Sequence, residues 1–141
     1  MPDEREALAT ALEVVGDRWT LLVLAALLES GPRRFGELQS DIKGIAPNVL
    51  TQRLRSLERH GLVVATPYSE RPPRFVYEPT ASGRELTAAL RLLAGWGARQ
   101  DPAAAPRHAV CGTPLEARWW CPTCEQAIDE GAAPEEELHF A

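Results

Sequence analysis

Residues 47–61 carry the pattern that most constrains the fold of this 141-residue chain, because they predict a single helix with two chemically different faces. At 100° per residue, Leu54 and Leu57 fall within about 40° of Leu50 and form an apolar stripe. The opposite side is polar, holds no acidic residue and consists of Asn48, Gln52, Arg55 and Arg59, with Thr51 on its flank. We call these five residues the polar face. Such a helix packs one side into a core and presents the other to solvent or to a partner.

The residues around this helix predict three earlier helices, a β-hairpin and one later helix. Apolar spacing and end signals (Asp, Thr, Gly and Pro) place these helices at 3–16, 17–31, 35–42 and 80–99. Strand-like residues 62–66 and 75–77 flank the turn-rich residues 69–73, which predicts the hairpin. With only residues 43–46 between the third and fourth helices, this is the layout of a winged helix-turn-helix. We therefore predict a mainly α fold with a small β-hairpin wing.

The polar face is chemically suited to reading a major groove. Asn and Gln pair with adenine, Arg pairs with guanine, and the Thr methyl group contacts the thymine methyl group. Four further arginines lie where a winged helix meets phosphates, at the start of the third helix and around the wing turn: Arg33, Arg34, Arg71 and Arg74. The alternative is a merely solvated helix face, which normally mixes Glu with Lys and Arg, whereas Glu58 on the flank is the only acid of this helix. We predict that double-stranded DNA is the partner, with Arg59 nearer a phosphate than a base.

The net charge of -5 hides a strong division along the chain. Residues 1–32 sum to -4 and residues 101–141 to -6, whereas residues 33–100 hold eleven basic and six acidic residues, a net charge of +5. The basic middle agrees with one specialised surface for nucleic acid between two acidic ends.

Three cysteines and one histidine form two closely spaced pairs near the end of the chain: His108, Cys111, Cys121 and Cys124. Two residues separate the members of each pair and nine separate the pairs, a spacing that suits a tetrahedral Zn²⁺ ion with a structural role. We expect residues 115–120 to form a hairpin between the pairs and the whole segment to be zinc-ribbon-like. The alternatives are a CxxC dithiol without metal and a histidine that simply lies on the surface.

Composition changes divide the chain into a winged domain (1–100), a linker (101–107), a Cys/His segment (108–129) and an acidic flexible tail (130–141). The longest apolar run, 21–28, is too short for a membrane span, and no signal-peptide pattern opens the chain. We expect a cytoplasmic protein with reduced thiols and no membrane partner. The sequence contains no Ser/His/Asp set, phosphate loop or dinucleotide fingerprint, so we predict that it is not an enzyme.

Five short motifs follow one another along the chain: residues 16–20 (GDRWT), 33–38 (RRFGEL), 50–58 (LTQRLRSLE), 61–63 (GLV) and 72–77 (PPRFVY), followed by Thr80 and Gly83. In this order they closely resemble the HxlR-type transcriptional regulators, over about residues 5–100. The resemblance implies a homodimer, related in architecture to the MarR group, that binds a near-palindromic operator and represses or activates. It names no effector for this chain.

The resemblance also implies a dimer built largely from the first and last helices. This agrees with a wide apolar stripe on the predicted last helix, formed by Leu86, Ala89, Leu90, Leu92, Leu93 and Trp96. Two residues depart from the family. Arg5 stands roughly where redox-sensing members carry a cysteine, and Ala46 replaces a common serine that would cap the fourth helix. The alternatives are a protein-interaction module that uses the winged domain, an enzyme with the cysteines as redox or zinc catalytic groups, and a zinc- or thiol-based redox-responsive regulator.

Overall fold

The computed structural model describes residues 3–128, and its first half is helical as predicted. The helices are α1 (Glu4–Val15), α2 (Arg18–Ser30), α3 (Phe35–Asp41) and α4 (Pro47–Arg59). Asp17 begins α2, since its carboxylate accepts hydrogen bonds from the backbone N–H groups of Trp19 and Thr20 at 3.0 Å each. No side chain caps α4 at Ala46, although Pro47 occupies its first turn.

A three-stranded antiparallel sheet follows, in which the wing is larger than the sequence predicted. Its strands are β1 (Arg33–Arg34), β2 (Val63–Glu70) and β3 (Pro73–Pro79), in the order β1-β3-β2. The wing consists of β2 and β3, which extend the expected strands and reduce the turn to Arg71 and Pro72. Arg33 and Arg34 were expected at the start of a helix, but they form β1 because they pair with Tyr77 and Val76 on the free edge of β3.

The predicted last helix is wrong as one continuous element. It divides into α5 (Ala81–Glu85) and α6 (Thr87–Gly97), with Leu86 between them. The Thr87 hydroxyl donates to the Arg84 carbonyl at 2.7 Å, and the Leu86 N–H turns back to Gly83 at 3.2 Å, so the regular hydrogen-bond pattern is interrupted. Short 3₁₀ turns follow at Ala98–Gln100 and Pro102–Ala104.

One apolar core lies within the compact unit of residues 6–90. Its buried members come from α1 to α4, the connections that follow α3 and α4, and the start of β2: Val15, Val23, Leu24, Leu27, Leu38, Ile42, Ile45, Leu50, Leu54, Leu57, Leu62 and Val63. Leu86 and Leu90 pack against this core while half-buried. The core therefore holds α2, α3, α4 and the wing in fixed positions relative to one another.

The second compact unit contains the described residues 91–128 together with 3–5. Its regular part is a hairpin of β4 (Trp119–Cys121) and β5 (Gln126–Ile128). The expected hairpin at 115–120 is wrong in position, because the strand pairing instead encloses Cys121 and Cys124. The predicted acidic tail lies outside the described residues. Among residues 3–128, no helix combines the length and the apolar character needed to cross a membrane.

Candidate nucleic-acid interface

The polar face of α4 is exposed because the opposite face is locked into the core. Leu50, Leu54 and Leu57 are at most 1% exposed, which fixes the rotation of the helix about its axis. Four polar-face residues are exposed, namely Asn48, Gln52, Arg55 and Arg59. Thr51 is half-buried, and its hydroxyl donates to the Pro47 carbonyl at 3.0 Å. Its methyl group is then the part of the side chain left for contact with a base.

An ion pair that sequence reasoning missed joins α4 to α2. Arg53 lies between the two faces of α4, and its Nε stands 2.9 Å from Oδ1 of Asp17. The same carboxylate oxygen caps α2, so one side chain both begins α2 and holds the flank of α4. No signal in the sequence links Asp17 to Arg53, because thirty-five residues separate them.

The two arginines of β1 differ in their surroundings. The Nε of Arg33 lies 3.2 Å from Oδ2 of Asp41, so an acidic partner offsets its charge. The guanidinium of Arg34 stacks over the Tyr68 ring at 4.5 Å from its centroid. Tyr68 was not among the predicted site residues; it belongs to β2 and lies at the register shift between Pro67 and Ser69.

Arg71 and Arg74 are exposed on the wing. Arg71 belongs to the turn, and Arg74 with Arg34 and Tyr68 lines an open groove of about 380 Å³. Within residues 3–128, Arg55, Arg59, Arg71 and Arg74 have no salt-bridge partner. These four positive charges are therefore available to an external anion, whereas that of Arg33 is already paired.

The flank of α4 is electrostatically coupled to β3 through Tyr77. Burial raises the pKa of the Tyr77 hydroxyl above its ordinary value, and the Glu58 carboxylate raises it further, while Arg55 opposes both. Tyr77 therefore stays neutral at physiological pH. It contributes a hydroxyl and a ring to the junction of α4 and the wing, with no charge.

The structure places the four predicted zinc ligands in two pairs and does not gather all four at one point. His108 Nδ1 lies 3.3 Å from Cys111 Sγ, and Cys121 is hydrogen-bonded to Cys124. In the part of the chain that the structure describes, no group of three or more His, Cys, Asp or Glu side chains is arranged to hold a metal ion. All three cysteines are free thiols.

Hydrogen bonding separates the cysteines by acidity. Hydrogen bonds from Thr113, through its side chain and then its backbone, lower the pKa of Cys111 to about 7, with a smaller contribution from His108. Backbone and side-chain hydrogen bonds from Cys124 lower the pKa of Cys121, whereas the same pairing raises that of Cys124. Cys111 and Cys121 are therefore the more readily ionised thiols.

Comparison with known proteins finds relatives of this chain. The sequence profile of the HxlR-like helix-turn-helix family matches residues 14–104. An uncharacterised HTH-type transcriptional regulator of Mycobacterium tuberculosis H37Rv is 40% identical over 130 residues, which cover 89% of this chain and 81% of the relative. This alignment extends beyond the length of the profile match.

Two solved structures support the same fold. A protein from Enterococcus faecalis V583, described as a transcriptional regulator of the MarR family, is 37% identical with a TM-score of 0.59, over 69% of this chain and 87% of that one. A protein from Pseudomonas aeruginosa, described as a transcription factor, is 33% identical with a TM-score of 0.67, over 91% of this chain and 94% of that one.

Proposed function

The chain belongs to the HxlR-like helix-turn-helix family of transcriptional regulators, and from this premise we propose that it binds a near-palindromic operator in double-stranded DNA as a homodimer. The prediction that it is a regulator rather than an enzyme is confirmed by its relatives. The observation that carries the proposal is the exposed polar face of α4, which holds hydrogen-bonding and cationic side chains without an acid.

Each part of the proposed interface has a separate task. Asn48, Thr51, Gln52 and Arg55 contact base edges in the major groove, and Arg59 contacts a phosphate. Arg34, Arg71 and Arg74 contact phosphates from β1 and the wing. Arg33, whose charge is offset by Asp41, contributes least to this set. Both classes of contact are needed, because phosphate contacts fix position and base contacts read sequence.

The homodimer is supported by apolar side chains that α1 and α6 leave exposed. On α1, Leu8 and Leu12 are 57% and 51% exposed, and on α6, Leu93 and Trp96 are 56% and 68% exposed. Burial of such side chains in a second copy stabilises association. In the dimer, two α4 helices enter successive major grooves about one helical turn apart. A Trp96→Glu variant should sediment as a monomer, whereas the unaltered chain should sediment at twice its 15.5 kDa mass.

The test is selection of bound fragments from the genome of origin, followed by titration of the purified chain at several salt concentrations. We expect log K to fall with log salt by about 0.9 for each neutralised phosphate. Gln52→Ala should change the preference among operator variants, and Arg74→Ala should weaken binding to all of them alike. Arg91→Ala, which removes an exposed charge outside the proposed interface, is the control and should leave binding unchanged.

Two results would contradict the proposal. Equal effects of Gln52→Ala and Arg74→Ala on every sequence would remove the division between base and phosphate contacts. Failure of the dimer to bind any fragment in a salt-sensitive way would favour the alternative of a protein-interaction module.

A further inference from the structure

Two turns in the Cys/His segment are built on the same plan. The first comprises residues 108–113 and the second residues 121–126. In each, a candidate ligand stands first, a cysteine stands fourth and a residue with positive φ stands fifth, namely Gly112 at +71° and Glu125 at +52°. Each turn closes between its first and sixth residues: the His108 N–H donates to the Thr113 carbonyl at 2.9 Å, and Cys121 pairs with Gln126.

The left-handed conformation of Glu125 is the informative one. Glycine adopts a positive φ without steric cost, so Gly112 needs no further explanation. A glutamate rarely adopts it, because its Cβ atom then crowds the backbone. The second turn therefore keeps the geometry of the first although its sequence disfavours it, which points to a shared requirement placed on the two cysteines in fourth position.

Within each turn the donor atoms already have a spacing that suits one metal ion. Zn–S and Zn–N bonds of about 2.3 and 2.0 Å at a tetrahedral angle place nitrogen and sulfur about 3.5 Å apart. His108 Nδ1 and Cys111 Sγ are 3.3 Å apart, a few tenths of an ångström from that value. In the second turn, Cys121 accepts backbone hydrogen bonds from Thr123 and Cys124. Such bonds to sulfur orient and stabilise a thiolate ligand.

The segment has no apolar core of its own within the residues that the structure describes. Among residues 101–128 no side chain is buried, and Val110, Leu115, Trp119 and Trp120 are 87%, 47%, 53% and 61% exposed. A stretch of this size without a core usually requires a metal or a covalent cross-link. The first turn is braced from outside by Arg107, whose guanidinium donates to the Gly112 carbonyl at 2.9 Å. Within residues 3–128 the two pairs do not form a group of three or more donor side chains arranged to hold a metal ion.

We propose that one Zn²⁺ ion joins the two turns, bound by His108 through Nδ1 and by the thiolates of Cys111, Cys121 and Cys124. Binding releases the three thiol protons to solvent, so the completed site carries a net charge of -1. Four protein ligands leave no coordination position for a substrate, which makes the ion structural. The first-position histidine and the three cysteines form a donor set typical of such sites.

The experiment uses the full-length chain without a histidine tag, purified under reducing conditions, and measures its metal content by mass spectrometry. We expect about one zinc per chain. The double variant Cys121→Ser/Cys124→Ser should lose nearly all of it. His60→Ala is the matched control, because His60 lies at the end of α4 with its Nδ1 at 2.8 Å from the Ser56 carbonyl, and this variant should keep its zinc.

A spectroscopic measurement on the unaltered chain covers the case in which the double variant does not fold. Replacement of zinc by Co²⁺ should give thiolate-to-cobalt charge-transfer bands and the d–d bands of tetrahedral coordination. His108→Ala should shift the d–d bands and weaken binding while leaving the charge-transfer bands. Absence of metal from the unaltered chain, absence of the tetrahedral cobalt bands, or unchanged zinc in the folded double variant would each overturn the proposal. None of these readouts involves DNA, so the result is independent of operator binding.

Discussion

Residues 6–90 and residues 101–128 are stabilised in opposite ways. The former enclose twelve buried apolar side chains contributed by four helices, the connections that follow α3 and α4, and the wing. In the latter no residue is buried, and order comes from backbone pairing, turn hydrogen bonds and the clamp of Arg107. In the first region the identity of each core side chain decides stability. In the second the few donor atoms of the two turns should decide it.

Removal of the proposed zinc should have the largest effect, and this effect should be confined to the Cys/His segment. Structural zinc contributes an apparent ~10–16 kcal/mol in small domains without a core, so a strong chelator should abolish protection of the amides in β4 and β5. Amides of α2, α4 and the wing should keep their protection, because the core does not involve the ion. Hydrogen exchange with and without chelator measures both regions at once. Equal loss in both regions, or no loss in either, would contradict the comparison.

A leucine in each region provides the next test. Leu54 is 1% exposed within the core, and Leu54→Ala should lower the free energy of unfolding by about 2–5 kcal/mol. Leu115 is 47% exposed, and Leu115→Ala should change it by less than about 0.5 kcal/mol. Urea unfolding followed by circular dichroism measures both. A comparable loss from Leu115→Ala would show that the Cys/His segment packs apolar surface in solution.

Elements that depend on local signals could be predicted from the sequence, whereas elements that depend on distant contacts could not. The first four helices follow from local signals: the Asp17 cap, Pro47 at a first turn and the apolar spacing of Leu50, Leu54 and Leu57. Strand β1 could not be predicted, because two arginines have no strand signal of their own and pair only because β3 has a free edge. The break at Leu86 depends on where the Thr87 hydroxyl finds a carbonyl, which apolar periodicity does not report.

The exposed face of the candidate interface could be predicted from the sequence, but the contacts that support it could not. The exposed polar face follows from helical periodicity once the opposite face is known to be buried. The Asp17–Arg53 ion pair and the stacking of Arg34 on Tyr68 are contacts between residues distant in sequence, so no local pattern encodes them. The two pairs of the Cys/His segment were visible from their spacing, but the hairpin was placed wrongly. Residues 115–120 contain no Gly, Pro, Asn or Asp to form a turn, and the strands pair at 119–121 and 126–128 instead.

Substitution of Gly83 tests how tightly residues 6–90 are packed. Gly83 is buried in α5, and a Cβ atom there would run into the Leu62 carbonyl at the start of the wing. Gly83→Ala should therefore lower the free energy of unfolding by about 1–3 kcal/mol. Gly36→Ala in α3 is the matched control, because no atom lies within 4 Å of its added Cβ, and it should be neutral or slightly stabilising. Thermal unfolding of the pair would contradict this packing if both variants behaved alike.

The smallest expected effect separates the two tasks of Asp17. Asp17→Ala removes both the α2 cap and the partner of Arg53, and should cost about 1 kcal/mol, most of it from the cap. Asp17→Asn keeps a capping oxygen and loses only the charge, so it should cost a few tenths of a kcal/mol, as for other partly exposed ion pairs. Urea unfolding of both variants measures the difference. If Asp17→Asn cost as much as Asp17→Ala, the ion pair to Arg53, rather than the cap, would be the main stabilising contact between α2 and the flank of α4.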